Sequence, residues 1–379
     1  MTGPSRPKHG PFVIDLLVVG SGIIGSWVAL VAARRGLVTA VCDQSADPRD
    51  GITGRNSGVL HAGLYYEPDS RKARHCIRGR TLAVEFARDR NVPFEICGKL
   101  IVTGRHAEPD RNQEAETRLL ALRDNAVACG ATGLELIRDP GGTYPHVLGA
   151  LALHSKNSGV IDVPAYHAAV RLAAEEAGAI FLLGRECRAL QSGRAELLSI
   201  REQEGGVEAI ECSAIVNAAG LQADVVAGLA GLRGYEVRPN RGEYYRLRRS
   251  LPYRKLVYPL PAASSTALGV HYTFHMNGDA YAGPNSVWAD HKADYRITME
   301  RRVFFESLEQ ILDSYTEEDL EPGYSGLRPR LFLEGAPVRE FVIEEQPARV
   351  LHLLGIESPG LTASPALAEE VVERLFPGG

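Results

Sequence analysis

Residues 14–43 read IDLLVVGSGIIGSWVALVAARRGLVTAVCD, and this stretch decides the fold. The apolar run Leu16–Val19 has the continuous hydrophobicity of a strand buried on both faces and stops at Gly20-Ser21-Gly22-Ile23-Ile24-Gly25. A helix-compatible run follows, then Gly36 as a C-terminal stop, then a second apolar run closing on Asp43. The three glycines differ in what they permit. Gly20 allows the tight strand-to-helix turn, Gly22 lets a pyrophosphate approach the backbone, and Gly25 lets helix and strand pack closely. The helix start offers unbonded N–H groups and the positive end of its dipole to phosphate. Asp43 stands where a carboxylate accepts hydrogen bonds from both hydroxyls of an adenosine ribose, which argues against a 2′-phosphate. Strand, glycines, helix, strand and acid in register predict a dinucleotide site.

Composition narrows the class. The 379 residues are enough for two intertwined domains, and 45% hydrophobic with 23% charged residues suits a soluble globular protein. A net charge of -5 gives no basic face for nucleic acid. The six cysteines are scattered without metal-like spacing and read as reduced thiols, which suits the cytoplasm. The opening MTGPSRPKHGP reads as a loose tail rather than a leader, and no apolar run reaches the length of a membrane span. Peripheral membrane contact stays open.

Outward from Asp43 comes a glycine-rich loop, GITGRNSGVLHAGLYYEPDS (residues 51–70), free to press its backbone on a flat ligand. Ser70 is placed to cap a long amphipathic helix. Two short strands broken at Gly98 and a helix over Glu108–Cys129 follow; a later helix carries Pro164 in its first turn. Strands are expected at Ala179–Leu183, at Ile200–Ile210 with a polar turn REQEGG, and at Ala214–Gly220. From Arg238 the alternation of aromatic and polar residues predicts antiparallel strands in GEYYRLR, KLVYPLP, LGVHYTFHM and DAYAGPN, with a hairpin at Asn277-Gly278. A helix is expected over Arg296–Thr316, and the chain closes with a strand at Val350–Leu354, a glycine turn and a helix at Ser364–Leu375.

The motifs TGRNSGVLHAGLYYEPDSRKARHC (53–76), RGEYYRL (241–247), VYPLP (257–261), LGVHYT (268–273), GPN (283–285) and GIESPGLTASPALA (355–368) are spread along nearly the whole chain. Together they resemble the D-amino-acid oxidase-like superfamily, and within it the L-2-hydroxyglutarate dehydrogenase/oxidase group. The resemblance implies an α/β fold: a Rossmann-type FAD-binding domain discontinuous in sequence (12–90, 151–222 and 335–379). An inserted α+β substrate domain on a mainly antiparallel sheet takes 91–150 and 223–334. It implies non-covalently held FAD and oxidation of a 2-hydroxy acid to a 2-oxo acid, with L-2-hydroxyglutarate first. An amine or amino-acid oxidase on the same scaffold, and a non-catalytic flavin-binding protein, are the alternatives. The electron acceptor is left open.

Such an oxidation needs a base for the hydroxyl proton and cations for carboxylates. Strand alternation places His271, Thr273 and His275 on one polar face, and His271 is the first candidate base. His61, delivered by the glycine-rich loop, is the second, with a structural role or a covalent flavin link as its other readings. Arg328 in GLRP is the candidate carboxylate anchor. Arg241 is expected to hold a second carboxylate, with Tyr245, Tyr258 and His275 beside the substrate. Against the cofactor the sequence and the resemblance place Gly20, Gly22, Ile23, Ile24, Gly25, Asp43 and Gln44. From the loop come Thr53, Arg55, Asn56, Ser57, Gly58 and His61. Later segments add Ala219, Gly220, Gly326, Arg328, Ser358, Gly360, Leu361 and Thr362.

Overall fold

The computed structural model describes residues 14–47, 50–105, 109–200, 206–261 and 269–378. Two large sheets face one another across a deep cavity, with a small third sheet between them in sequence. The first sheet is parallel through Ile180–Leu183, Thr39–Asp43, Ile14–Val19, Val207–Asn217 and Val350–Leu354, in that spatial order. Ile14–Val19, Thr39–Asp43 and Val350–Leu354 are buried nearly end to end, the pattern expected when helices cover both faces. Gly25 explains the tight contact of the first helix, Ile23–Arg34: a Cβ there would come 1.8 Å from the carbonyl oxygen of Gly20. Gly36 follows that helix at φ +78°, a left-handed stop that glycine adopts without strain. The helix packs in a core with Trp27, Phe86 and Tyr166, where Trp27 Nε1 donates to the Tyr166 hydroxyl at 3.0 Å.

The helix Arg71–Asp89 begins as expected, with the Ser70 hydroxyl accepting from the Ala73 N–H at 3.1 Å. Asp162 likewise caps Val163–Glu176 by accepting from Ala165 N, with Pro164 in its first turn. The second sheet has ten strands. Its order runs Ala336–Val338, Leu320–Leu333, Tyr235–Leu247, Ala280–Gly283, His271–Phe274, Leu256–Pro259, Lys99–Val102, Leu151–Ser155 and Leu134–Arg138, with Val287–Trp288 beside Tyr235–Leu247. Leu151–Ser155 and Ala336–Val338 thus lie in the second sheet, although the sequence-based boundaries at 151 and 335 assign them to the first.

Three other expectations are corrected. Of the expected strand Ile200–Ile210, Val207–Ile210 is the start of Val207–Asn217, preceded by a hairpin of Arg185–Gln191 and Arg194–Ser199; the REQEGG turn is residues 201–206, of which 201–205 lie outside the described residues. These strands alternate buried and exposed residues weakly, and Gly193 at φ +78° makes the turn. Only Arg301–Leu308 of the expected helix 296–316 is helical; Ile311, Leu312 and Tyr315 beyond it reach the same core as Phe304 and Leu308 without continuing the helix. The last helix starts at Gly360, four residues early, with Pro365 in its second turn. Among the described residues no helix is long and apolar enough to cross a membrane.

Candidate active site

The cavity between the sheets has a volume of about 1570 Å³, larger than the ~300–1,000 Å³ of a typical small-ligand pocket. One end is made by the glycine turn. Gly20 adopts φ +109°, and a Cβ there would sit 2.5 Å from Ala218 O, so only glycine fits. Gly22 caps the first helix without a side-chain hydrogen bond, and no acid stands in the first turn, leaving its positive end to an anion. Thr53 Oγ1 accepts the Ile23 N–H at 3.0 Å and so fixes the loop against this turn. Asp43 faces the cavity; its Oδ2 accepts from Ser21 N at 2.7 Å and Ser21 Oγ at 2.8 Å, which fixes the carboxylate at the end of its strand.

Most of the sequence-predicted cofactor residues line this one cavity. Gly20, Gly22, Ile23, Ile24, Asp43 and Gln44 do so at the turn, and Thr53, Arg55, Asn56, Ser57 and His61 along the loop. Ala219, Gly220, Gly326, Arg328, Ser358, Gly360 and Leu361 close the other walls. Gly25, Gly58 and Thr362 are corrections: they do not face the cavity. Gly25 and Gly58 are packing glycines, the latter leaving 2.6 Å between a notional Cβ and Ile161 O. Thr362 Oγ1 instead accepts the His61 N–H at 3.1 Å and donates to Val59 O at 3.3 Å, tying the last helix to the loop.

The other end is a chamber floored by the second sheet. His271, Tyr258, Arg328 and His61 all line it. His271 Nδ1 lies 2.8 Å from Gly269 O; a carbonyl only accepts, so Nδ1 carries the proton and Nε2 is left as a base. Burial, with the charges of Lys99 and Arg328 nearby, pushes its pKa down to about 3, against the pull of the Gly269 carbonyl. The Tyr258 ring stacks on it with centroids 3.5 Å apart, fixing the imidazole plane. His61 is held neutral in the same way, by burial first and then by Lys99 and His271; its Nε2 lies 3.2 Å from Ser358 Oγ. Arg328 donates to Asn240 Oδ1 at 2.9 Å and Asn285 O at 3.0 Å, both neutral acceptors, and it forms no ion pair among the described residues.

Three substrate-binding expectations are not met. Arg241 lies outside the cavity lining, buried between Glu243 at 2.8 Å and Asp294 at 2.7 Å. The cause is strand alternation: Asn240 and Gly242 pair with Arg328 and Gly326 toward the cavity, and Arg241 between them turns away. Tyr245 donates its hydroxyl to Met299 O at 2.9 Å, and it too is absent from the lining. His275 falls beyond the end of its strand, which stops at Phe274, and packs on Tyr281 and Tyr324, 3.1 Å from the Tyr324 hydroxyl. Sequence reasoning passed over Tyr65 and Tyr244, which line the chamber, and Lys99 behind it. A lysine inside the apolar run CGKLIVT was the available signal for the last.

A family model for DAO, the FAD dependent oxidoreductases, matches residues 15–374. The chain belongs to this family. Similar proteins include the mitochondrial L-2-hydroxyglutarate dehydrogenase of Arabidopsis thaliana, 30% identical, with 96% of this chain and 83% of the relative covered. The L-2-hydroxyglutarate dehydrogenase of Indibacter alkaliphilus is 27% identical over 95% of this chain and 98% of its own. Among solved structures, the L-α-glycerophosphate oxidase of Mycoplasma pneumoniae with FAD bound superposes with a TM-score of 0.83 at 22% identity, covering 95% and 94% of the two chains. Glycine oxidase from Geobacillus kaustophilus gives 0.75 at 19% identity, covering 96% and 95%. These two share the fold of this FAD-dependent oxidoreductase. The residues present fit the cofactor: the glycine cradle that a Cβ would fill, the uncapped helix and Asp43 line one continuous cavity with the chamber.

Proposed function

We propose that this FAD-dependent oxidoreductase oxidises a small 2-hydroxy acid to the 2-oxo acid, with L-2-hydroxyglutarate as the leading substrate. One observation carries the reading: among the described residues, a histidine with its Nε2 outside any hydrogen bond and a guanidinium outside any ion pair line the same chamber. The similarity to the L-2-hydroxyglutarate dehydrogenases supports the choice of substrate. FAD, held non-covalently, supplies the acceptor for the hydride that leaves the substrate C2.

Arg328 holds the substrate carboxylate through its two terminal nitrogens, exchanging neutral acceptors for a charged one. His271 Nε2 takes the hydroxyl proton as the C2–H bond breaks, so that the C–O bond becomes a carbonyl and electrons and protons balance. Tyr258 keeps the imidazole in plane, and the Gly269 carbonyl holds its tautomer while Nε2 becomes protonated. His61, fixed by Thr362 and Ser358, closes the opposite wall and keeps water from the reacting carbon. All six cysteines are free thiols, which supports a reducing compartment, the cytoplasm.

This reading is tested by an anaerobic visible spectrum of the purified holoenzyme with L-2-hydroxyglutarate, other 2-hydroxy acids and amino acids added in turn. Bleaching of the flavin band by L-2-hydroxyglutarate, with 2-oxoglutarate formed in equal amount, is expected. Bleaching by glycine or N-alkyl amino acids alone would transfer the chamber to amine oxidation.

A further inference from the structure

With Arg241 matched by Glu243 and Asp294, Arg328 is the cation already placed beside His271, and the second sheet contains another close to the same histidine. Lys99 is fully buried, and its Nζ has no hydrogen-bond acceptor. A buried ammonium is expensive unless an anion compensates it. The groups facing it are Cys97 just before its own strand, Cys76 from the helix Arg71–Asp89, Tyr65 and His61 from the glycine-rich loop, Tyr258 and His271 from the neighbouring strands. Among the described residues none of these is a carboxylate.

The sheet aims this charge at the chamber. Leu256 pairs with Lys99 and Tyr258 with Ile101, so Lys99 and Tyr258 project from the same face of adjacent strands. Lys99 Nζ lies 4.0 Å from the centroid of the Tyr258 ring, the ring on which His271 stacks. Spatial strand order sets Arg328 on one side of His271 and Lys99 on the other. Both side chains lean inward: Arg328 lies over Gly242, where a Cβ would meet Nη2 at 2.7 Å, and Lys99 lies over Tyr258. Three strand spacings, roughly 14 Å before curvature, then separate the two cations, the scale of a short dicarboxylate with a cation beyond each end.

We propose that Lys99 is the second cation of the chamber, a positioning residue that acts from behind the Tyr258 ring to favour substrates with two carboxylates over those with one. This rests on the reading of the chamber as a 2-hydroxy acid site.

The experiment titrates the holoenzyme with glutarate and with pentanoate, unreactive acids of equal carbon count, and reads the perturbation of the flavin spectrum. Tighter binding of glutarate is expected in the natural protein. Lys99→Met should lower glutarate affinity by roughly 10- to 100-fold while pentanoate changes severalfold. A second arm needs no mutation. Burial lowers the Lys99 pKa to about 7, so its charge is present below that pH and lost above it. The facing tyrosines and thiols are shifted upward and the histidines downward by burial, so none of them titrates in this window. The preference for glutarate should therefore weaken as the pH rises from about 6 to about 9.

Equal binding of the two acids by the natural protein, a preference that survives Lys99→Met, or a preference independent of pH would overturn the proposal. If Lys99→Met does not hold flavin, the pH arm decides. Flavin reduction by hydroxy acids is read separately, so failure of the substrate assignment and failure of the Lys99 assignment give different results.

Discussion

Arg241 and Arg328 lie on paired strands one residue out of register, Arg241 fully buried and Arg328 half-buried in the cavity wall, in opposite surroundings. Arg241 sits between two carboxylates and also donates to Thr298 Oγ1 at 2.7 Å. Among the described residues the hydrogen bonds of Arg328 go to an amide oxygen and a backbone carbonyl. The protein provides its own anions for the first charge, which therefore holds the strand to the segment around Asp294. For the second the described residues form no ion pair, and a desolvated cation outside any ion pair is one that a ligand completes. The same contrast separates Lys99 from the exposed, ion-paired arginines of the surface.

Arg328→Met should do the most damage to activity: a loss of roughly 10³-fold or more in kcat/KM with flavin content and melting temperature unchanged, measured by steady-state kinetics and thermal unfolding. A loss of stability with activity kept would erase the contrast between the two arginines. His271→Asn should lower kcat by roughly 10²- to 10³-fold while sparing affinity for unreactive carboxylates.

The same histidine leaves a mark on the pH profile. His271 is unprotonated in the folded protein down to about pH 3, so kcat/KM should show no acid limb attributable to it near 6.5. In stability the sign follows: the unfolded histidine takes a proton below about 6.5 and the folded one does not, so its contribution is complete above about 6.5 and is lost as pH falls toward about 3. Denaturant unfolding of natural protein and His271→Asn at several pH values checks this.

Arg241→Met reverses the pattern of Arg328. It should cost about 3–5 kcal/mol of stability, because Glu243 and Asp294 are left buried without their cation, with kcat/KM per folded holoenzyme within about threefold. A milder change is expected at the nucleotide end. Asp43→Asn keeps shape and loses the charged acceptor, weakening FAD binding by roughly tenfold in an apoprotein titration.

The nucleotide end was legible because its constraints are local. Gly20, Gly22, Gly25 and Asp43 act through turn geometry and close approach within 30 residues, and a sequence displays that directly. The antiparallel strands around residues 235–283 were equally readable from alternation, which also put His271 on the cavity side. What was not readable depends on long-range compensation. Glu243, two residues beyond Arg241, was the one local hint that its charge is already matched; Asp294, the other partner, is 53 residues away and invisible from the local sequence. His275 was misplaced by continuing an alternation one residue past the strand end. Lys99 was passed over, since only the packing of Tyr258, Tyr65 and the helix bearing Cys76 shows that it is removed from water.

The division of labour between the two arginines can be seen outright in a crystal structure of the oxidised holoenzyme with 2-oxoglutarate. One carboxylate should lie on Arg328, with the 2-oxo oxygen within hydrogen-bond reach of His271 Nε2 and Arg241 still paired with Glu243 and Asp294. A ligand held by Arg241, or bound away from His271, would refute the assignment.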